Sequence, residues 1–338
     1  MQIAAYAWDQ HPSSHCRAFQ PLMELSHRNH MIAINTTLED LTPSDAEIAQ
    51  IAREFDVVYI ARYIEAEAVE LARRLSAAGI PVVWDFDDDV LASRRGRTDP
   101  ESVARVSGVR GFLEVADLVT TTSERLADRF LEEGARHAVA IPNFLARPHL
   151  NGIERPHEGI VLGYIGWVDH QDDWEALGLD ETVRELLEDH DDLRVEIVGP
   201  LEFDWPAERC KRTQVVPYPE LPELIAGFDI ALAPLVDNPP NRMRSDIKVK
   251  EYAIAGVPWL ASPVGPYEHY GENEGGRLVE DDDWYVEIDR LIGDRKARRK
   301  LGKKGQKWAL KHTLLRNAGV WEGAFRAAIE VAGQRSLA

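Results

Sequence analysis

A group of cations precedes a predicted helix in the second half of the chain. Residues 241–267 read NRMRSDIKVKEYAIAGVPWLASPVGPY, and Arg242, Arg244 and Lys248 bring positive charge to the N-terminal end of that helix. The free backbone N–H groups and the dipole of a helix N-terminus already favour a phosphate. The residue types and their spacing therefore predict a diphosphate-binding segment.

The same helix carries residues that could cap it or hold a sugar. Ser245 or Asp246 can cap its first turn. Glu251 follows Lys248 at i+3, so the two side chains share one helix face. A carboxylate in this position can accept hydrogen bonds from the vicinal hydroxyls of a ribose. The structural alternative is that Ser245 and Asp246 only cap the helix, while Lys248 and Glu251 form a surface ion pair.

Strands and helices must alternate to position these residues. Short apolar runs rich in β-branched residues alternate with longer amphipathic segments, which predicts an α/β fold with parallel strands and crossover helices. The predicted strands cover residues 3–8, 31–35, 57–61, 82–86, 118–122, 138–142, 160–166, 194–198, 214–217, 230–235, 259–262 and 277–279. Ligands bind beyond the carboxyl ends of such strands, so the loops there are candidate sites.

The chain length indicates two domains. Its 338 residues exceed what one hydrophobic core usually organises. Residues 143–159, NFLARPHLNGIERPHEG, combine proline, glycine and polar residues without a helix or strand period, as an interdomain linker does. We predict domains over residues 1–150 and 151–312, followed by a C-terminal helix over residues 313–338 whose apolar face needs a partner surface.

Composition excludes several classes of protein. No segment approaches the roughly 20 apolar residues that span a bilayer, and the N-terminus does not resemble a secretory signal, so we predict a cytoplasmic protein. Cys16 and Cys210 lie far apart, which argues against a disulfide framework or a zinc site. The formal net charge of −19 opposes nonspecific attraction to nucleic acid or anionic lipid.

One basic run departs from this acidity. Residues 295–311 read RKARRKLGKKGQKWALK. The run predicts a solvated helix face, which is the usual fate of such charges. A phosphate-rich acceptor or a membrane surface is the alternative.

The segment over residues 245–262, SDIKVKEYAIAGVPWLAS, resembles the donor-binding signature of retaining GT-B glycosyltransferases of family 4, also called group 1. Members typically carry a lysine, a Glu-Tyr pair, a small-residue helix end, Gly-x-Pro and a strand ending in serine. The matching residues are Lys248, Glu251, Tyr252, Gly256, Pro258 and Ser262. GYIGWVDHQDDWEAL, LRVEIVGP, VVPYPELPELIAGFDIALAPL and EDDDWYVEIDRLIGDRKARRKLGKKG extend the resemblance over roughly residues 160–325.

This resemblance implies two Rossmann-like domains with a cleft between them and a last helix that crosses back to the N-terminal domain. It implies a nucleotide-diphosphate sugar as donor substrate and retention of anomeric configuration. The expected catalytic residues are Arg242, Arg244, Lys248 and His170. The expected donor-binding residues are Glu251, Lys248, Ser245, Asp246, Gly166, Pro217 and Tyr218, with the turn at Pro217 and Tyr218 meeting the base.

The chain departs from the family pattern at two places. Family members place a second acid eight residues before the ribose-binding glutamate, where this chain has Met243. Many members also have an arginine and a lysine after the first strand of the C-terminal domain, whereas this loop reads Trp167, Val168, Asp169, His170. Arg242 and Arg244 are the candidates for the missing charge, and His170 for a contact with phosphate or sugar.

The N-terminal half supplies the acceptor-side candidates. Asp85, Asp87, Asp88 and Asp89 end or follow the strand predicted over residues 82–86. Such acids can bind a divalent metal, but the resembling enzymes stabilise the leaving diphosphate with protein cations, so we predict no metal and no further cofactor. We expect contacts with acceptor hydroxyls, or helix capping.

The first loop, residues 9–17, adds histidines and a cation. His11, His15 and Arg17 lie in it, and Arg62 follows the third predicted strand. Taken together, the acceptor-side candidates are His15, Arg17, Arg62, Asp87 and Asp88. A structural role is the alternative for each of them.

The sequence thus predicts a glycosyltransferase that moves a sugar onto an acceptor hydroxyl. The acceptor could be a glycan, a lipid-linked glycan, a protein, a metabolite or modified DNA. An inactive nucleotide-sugar-binding protein and a nucleotide-sugar epimerase of the same architecture are the alternatives.

Overall fold

A computed structural model describes residues 1–8, 12–94, 96–147, 157–167, 170–214 and 216–335. The chain divides into two compact units. Unit 1 comprises Met1–Phe144, Met243–Ser245 and Leu314–Ala338, and unit 2 comprises Leu145–Arg242 and Asp246–Thr313. Much of the predicted linker, together with His11, Val168 and Asp169, lies outside the described residues.

Unit 1 contains a six-stranded parallel sheet in the order β2-β1-β3-β4-β5-β6. Its strands are β1 (Gln2–Ala7), β2 (Met31–Asn35), β3 (Val57–Ala61), β4 (Val82–Asp85), β5 (Leu118–Thr121) and β6 (Ala138–Ala140). All residues of β3, β4 and β5 are buried, as expected for strands covered on both faces.

Helices pack on this sheet and connect its strands. They are α1 (Pro12–Ser14), a π-helical segment (His15–Phe19), α2 (Gln20–Ser26), α3 (Asp45–Glu54), α4 (Ala66–Ala77), α5 (Val90–Ser93), α6 (Pro100–Val115) and α7 (Glu124–Glu132). The C-terminal α15 (Leu314–Asn317) and α16 (Gly319–Arg335) also belong to unit 1.

The last helix packs against the middle of this sheet. Trp321 and Phe325 of α16 lie edge-on to Tyr59 of β3, with ring centroids 5.8 Å and 5.3 Å away. Each of the three rings is at most 1% exposed. Their burial accounts for the apolar spacing that the sequence shows in this segment.

Unit 2 contains a second six-stranded parallel sheet, in the order β12-β11-β10-β7-β8-β9. Its strands are β7 (Ile160–Ile165), β8 (Leu193–Val198), β9 (Cys210–Thr213), β10 (Ile230–Ala233), β11 (Trp259–Ala261) and β12 (Gly276–Leu278). The strand predicted over residues 214–217 was wrong, because pairing with β8 ends at Thr213. Val215, within that prediction, lies outside the described residues.

The helices of unit 2 are α8 (Gln171–Ala176), α9 (Leu179–Asp189), α10 (Leu221–Ile225), α11 (Pro239–Arg242), α12 (Ile247–Ile254), α13 (Trp284–Gly293) and α14 (Arg295–Ala309). Tyr252 fixes α12 to the sheet, since its hydroxyl donates to Leu232 O at 3.1 Å and accepts from Ile165 N at 3.2 Å. The predicted α/β class with parallel strands is confirmed. Among the described helices, none has the length and apolar character needed to cross a membrane.

Candidate functional site

Two glycines allow a close approach of backbone at the carboxyl ends of β7 and β8. Gly166 donates its N–H to Val198 O at 3.0 Å. Gly199 has φ +129, and a Cβ there would lie 1.9 Å from Gly166 O. A Cβ on Gly166 would lie 2.5 Å from the ring of Tyr164. Only glycine fits at these two positions, as in loops whose backbone approaches a ligand.

Lys248 lies in the first turn of α12, close to the same strand end. Its Nζ is 4.5 Å from the ring centroid of Tyr164 and 3.4 Å from the hydroxyl of that residue. A cation over an aromatic face is held by the ring quadrupole. Tyr164 is fully buried and Lys248 half-buried, so the ring gives the ammonium a fixed position. Tyr164 was not among the residues predicted from the sequence.

His170 is held by a buried carboxylate. Its Nδ1 lies 3.1 Å from Asp173 Oδ2, and its ring stands edge-on to Tyr164. Asp173 Oδ1 accepts from Val236 N at 3.0 Å and from Asn241 Nδ2 at 2.7 Å. Burial alone would raise the pKa of Asp173, but the hydrogen bonds from His170 and Val236 outweigh it and lower that pKa. Asp173 is thus an anion that orients His170.

The start of α12 differs from the predicted capping. Asp246 occupies the N-cap position, but its side chain makes no capping hydrogen bond. Its carboxylate instead accepts from Lys250 Nζ at 2.7 Å and from the hydroxyl of Tyr270. The side chain of Lys250 is only 1% exposed and that of Asp246 is 15% exposed, so the ammonium is buried against a half-buried carboxylate. Burial first, and then Asp246, raise the pKa of Tyr270.

Glu251 lies one turn after Lys248 on α12. Glu251 is 6% exposed, which does not fit the alternative of a surface ion pair with Lys248. A buried carboxylate requires hydrogen-bond partners. Its contact with a ribose stays a prediction.

The two candidate arginines differ in their surroundings. Arg242 belongs to unit 2 and is paired with Asp237, with Nε 2.5 Å from Oδ1 and Nη2 2.7 Å from Oδ2. That hydrogen bond and charge raise the pKa of Arg242. Arg244 is half-buried in the Met243–Ser245 segment of unit 1.

Met243 and Ser245, which flank Arg244 in this segment, contact other residues of unit 1. Met243, at the position of the missing acid, packs against the apolar core of that unit, and its carbonyl accepts from Ser123 Oγ at 3.3 Å. Ser245 Oγ accepts from Asn143 Nδ2 at 3.1 Å. These contacts position the segment through unit 1 rather than through α12.

The predicted base-binding turn begins a short helix. Pro217 precedes the 3₁₀ segment Tyr218–Glu220 and accepts from Glu220 N at 2.9 Å. Tyr218 is 7% exposed. Contact of this turn with a base stays a prediction.

Arg17 is fully buried in unit 1, on the π-helical segment. Its guanidinium donates to both carboxylate oxygens of Asp85, at 3.0 and 2.7 Å. It also donates to Asn143 Oδ1 and to the carbonyls of Ile141 and Thr121. These bonds use all five N–H donors of the side chain. The guanidinium therefore links the carboxyl ends of β4, β5 and β6, and its contact with an acceptor stays a prediction.

Arg62 brings three acceptor-side candidates together. It follows β3 with a positive φ of 69°, which is uncommon for a residue with a Cβ and is found at functional sites. Its guanidinium forms ion pairs with Asp87 and, at 2.9 Å, with Asp88, and it lies 5.1 Å from the Phe86 ring centroid. The side chain of Asp88 is 44% exposed, so this cluster reaches solvent.

The remaining candidates of unit 1 have local contacts. The ring of His15 packs 5.4 Å from that of Phe19 within the π-helical segment. Asp89 caps α5 by accepting from Ala92 N at 3.0 Å, which is the capping role that the sequence allowed for these acids. Within the described parts of the chain, no three His, Cys, Asp or Glu side chains are placed to hold one metal ion.

Comparison with known proteins adds a family model and solved structures. A model described as glycosyl transferase-like matches residues 180–319. No curated protein sequence matches the chain. Anabaena HepE, solved in complex with UDP-glucose, superposes with a TM-score of 0.68 at 16% identity, covering 100% of both chains.

Two further structures represent different activities. Sucrose-phosphate synthase from Thermosynechococcus elongatus gives a TM-score of 0.65 at 13% identity, covering 97% of this chain and 100% of its own. A Listeria monocytogenes protein assigned as a UDP-N-acetylglucosamine 2-epimerase gives a TM-score of 0.59 at 11% identity, covering 97% of this chain and 96% of its own. At these identities the likeness establishes the fold alone. The chain has the GT-B fold that the sequence predicted.

Proposed function

We propose that the chain is a glycosyltransferase that uses a nucleotide-diphosphate sugar as donor. The observation that carries the proposal is the position of Lys248, which lies over Tyr164 beside the Gly166 strand end and one turn before the buried Glu251. A cation, close-approaching backbone and a carboxylate in this order fit a diphosphate followed by a ribose.

The donor would lie mainly on unit 2. Lys248 and the N-terminal end of α12 would face the diphosphate, and Glu251 would accept hydrogen bonds from the ribose hydroxyls. The turn at Pro217 and Tyr218 would contact the base. The solved complex of HepE with UDP-glucose supports uridine diphosphate sugars as the first donors to test.

In the proposed reaction, the bond between the anomeric carbon and the diphosphate oxygen breaks as the acceptor oxygen bonds to that carbon. Arg242, Arg244 and Lys248 would stabilise the charge on the departing diphosphate. The proton of the acceptor hydroxyl would pass to a diphosphate oxygen, so no separate base is needed. Attack and departure on one sugar face would retain the anomeric configuration, and His170, oriented by Asp173, would contact phosphate or sugar.

Unit 1 would supply the acceptor contacts. Arg62, Asp87 and Asp88 form a cluster that reaches solvent after β3 and β4, where ligands of parallel sheets bind. Arg17 would act indirectly, by holding the end of β4, which Asp87 and Asp88 follow. Arg242, Arg244 and Lys248 would balance the diphosphate charge, so we propose that no metal is required.

A donor screen on the full chain tests this proposal. Thermal shift with nucleoside diphosphates and their sugars should identify a stabilising donor, and mass spectrometry should then detect its hydrolysis or transfer. A donor that binds without turnover would instead indicate an inactive nucleotide-sugar-binding protein. An epimerised donor formed without any acceptor would indicate the epimerase.

A variant of Glu251 tests the ribose assignment. Glu251→Ala should weaken donor binding by about 1.5 to 3 kcal/mol, because hydrogen bonds to a charged group are lost. Glu251→Gln keeps the side-chain shape and should lose less. Asp246 lies on the same helix, and its carboxylate contacts Lys250 and Tyr270. It is therefore the carboxylate with a structural role against which Glu251 is compared. Unchanged donor affinity of Glu251→Ala in calorimetry would exclude the assignment.

A further inference from the structure

The basic run of the sequence forms α14, a helix with two sharply different faces. Arg295–Ala309 carries eight cations and no acid. Its buried face consists of Leu301, Gly302, Gly305 and Ala309. A Cβ on Gly302 would lie 2.0 Å from Gly256 O, so the helix packs backbone against backbone. This close packing fixes which face of α14 points outward.

Two of the eight cations have internal partners. Arg298 donates to the carbonyls of Leu291 and Ile292 at 2.6 and 2.7 Å. Lys304 lies 3.5 Å from Glu272. Burial would raise the pKa of that carboxyl, but Lys304, followed by Arg277 and Lys300, lowers it. These contacts account for the cations nearest the rest of unit 2.

The other six cations form one exposed face. They are Arg295, Lys296, Arg299, Lys300, Lys303 and Lys307. None of the six forms an ion pair with any side chain of the described chain. At 100° per residue they fall within an arc of about 140° and extend over roughly 18 Å. We call these six residues the basic face.

An apolar residue extends the basic face. Leu310, the C-cap of α14, is 45% exposed and continues the same arc. The aromatic residue of the helix does not lie on that arc, because Trp308 packs edge-on to Tyr270, 5.1 Å away, and against His312. The basic face therefore combines cations with a leucine and offers no ring for stacking.

We propose that the basic face binds the surface of an anionic phospholipid bilayer. Exposed charges farther than a Debye length of about 8 Å are largely screened, so acids remote from α14 contribute little at the basic face, and the net charge of −19 opposes its contact with anionic lipid little. Proteins that bind single-stranded nucleic acid typically combine such cations with aromatic rings on which the bases stack, and the basic face has no such ring. Clusters of lysine and arginine on one helix face are typical of sites for anionic lipid headgroups, and Leu310 adds an exposed apolar contact at the end of the face.

Vesicle co-sedimentation of the full chain tests the proposal. Vesicles with about 30 mol% phosphatidylserine should bind the protein, and pure phosphatidylcholine vesicles should not. Binding should disappear at about 0.5 M salt, because salt shortens the Debye length. Binding that is equal for both vesicle types, or absent from both, would overturn the proposal.

Matched variants locate the surface. Lys296→Gln, Lys300→Gln and Lys303→Gln together should weaken binding about a hundredfold, at about fivefold per cation near the membrane. Arg53→Gln, Arg73→Gln and Arg110→Gln change the net charge equally at exposed sites of unit 1 and should leave binding unchanged. An equal loss in both triple variants would overturn the proposal.

Two further measurements separate this inference from other outcomes. A single-stranded oligonucleotide that binds more tightly than the anionic vesicles would point to nucleic acid and contradict the proposal. Donor-induced thermal shift should be the same for the wild type and the triple lysine variant. The membrane inference does not rest on the proposed transferase activity, since the vesicle assay contains no donor.

Discussion

Unit 1 and unit 2 each place a cation near the carboxyl ends of their strands, but they hold it differently. Arg17 of unit 1 is fully buried, and Asp85, Asn143 and two carbonyls accept all five of its N–H groups. Lys248 of unit 2 is half-buried, with its ammonium over the ring of Tyr164.

The difference shows that residue type and position do not determine the role of a cation. An arginine whose donors are all used by the protein fixes strand ends, and its removal should affect folding. A lysine that is positioned by an aromatic ring and reaches solvent can meet a phosphate, and its removal should affect binding.

The largest effect is expected for the buried pair in unit 1. Asp85→Asn leaves Arg17 buried without its counter-charge, which should cost about 3 to 5 kcal/mol of unfolding free energy. Asp45→Asn is the control, because its partner Arg74 pairs with it at the surface, where such pairs contribute at most about 1 kcal/mol. Urea denaturation followed by circular dichroism should separate the two. A loss as small as that of the control would mean that Arg17 does not hold unit 1 together.

A smaller effect, on binding alone, is expected in unit 2. Lys248→Met should weaken nucleoside diphosphate binding by about 1.5 to 3 kcal/mol through loss of a charged hydrogen bond, with an unchanged unfolding midpoint. Lys211→Met removes a lysine paired with Glu196 elsewhere in unit 2 and should not alter binding. Calorimetric titration with the diphosphate decides the matter. Equal affinities for Lys248→Met and the wild type would contradict the phosphate assignment.

Apolar runs located eleven of the twelve strands, because buried parallel strands leave a clear signal. The missed strand, β9, reads CKRT and lies at the edge of its sheet, with none of its residues fully buried. An edge strand with no buried side chain carries no apolar pattern. The strand was predicted over residues 214–217 instead, because the apolar residues Val215 and Val216 lie there.

The candidate site was predicted less completely than the fold. Charge and helix spacing make Lys248 and Glu251 candidates from the sequence alone, since both lie on one short helix. Tyr164 lies 84 residues from Lys248 in sequence, and Asp173 lies 68 residues from Asn241. Contacts across such separations depend on how strands are ordered in a sheet, which a single sequence does not specify.

The buried Lys250 was missed for a different reason. Its spacing of four residues from Asp246 is the signal of a helical ion pair. That signal was present in the sequence, but Asp246 was interpreted as a helix cap, so its pairing with Lys250 was not predicted. Burial, which separates the two roles, is visible only in the folded chain.

A change of about 1 to 2 kcal/mol in the free energy of unfolding is expected for Asp173→Asn. The pKa of Asp173 is lowered in the folded protein, so its ionised form stabilises the fold above the ordinary carboxyl pKa of about 4 and loses this effect as the pH falls further. Asp173→Asn should therefore be less stable than the wild type near neutral pH, and the difference should shrink in acid. Asp172→Asn, exposed and adjacent, is the control. A difference that does not change with pH would contradict the role of the ionised carboxylate.

The smallest effect is expected from chelation, which should leave the proposed transferase activity unchanged. The reason lies in how the charged side chains are paired. Asp87 and Asp88 are the acids considered for a divalent cation, and both are already paired with Arg62. In the proposed reaction, Lys248 and Arg242 of unit 2, with Arg244, would carry the positive charge that a leaving diphosphate requires. Initial rates of transfer, measured with the donor found in the screen, should be equal before and after EDTA. Loss of activity that manganese or magnesium restores would mean that a metal supplies this charge, and Arg62→Gln combined with metal titration would then show whether Asp87 and Asp88 bind it.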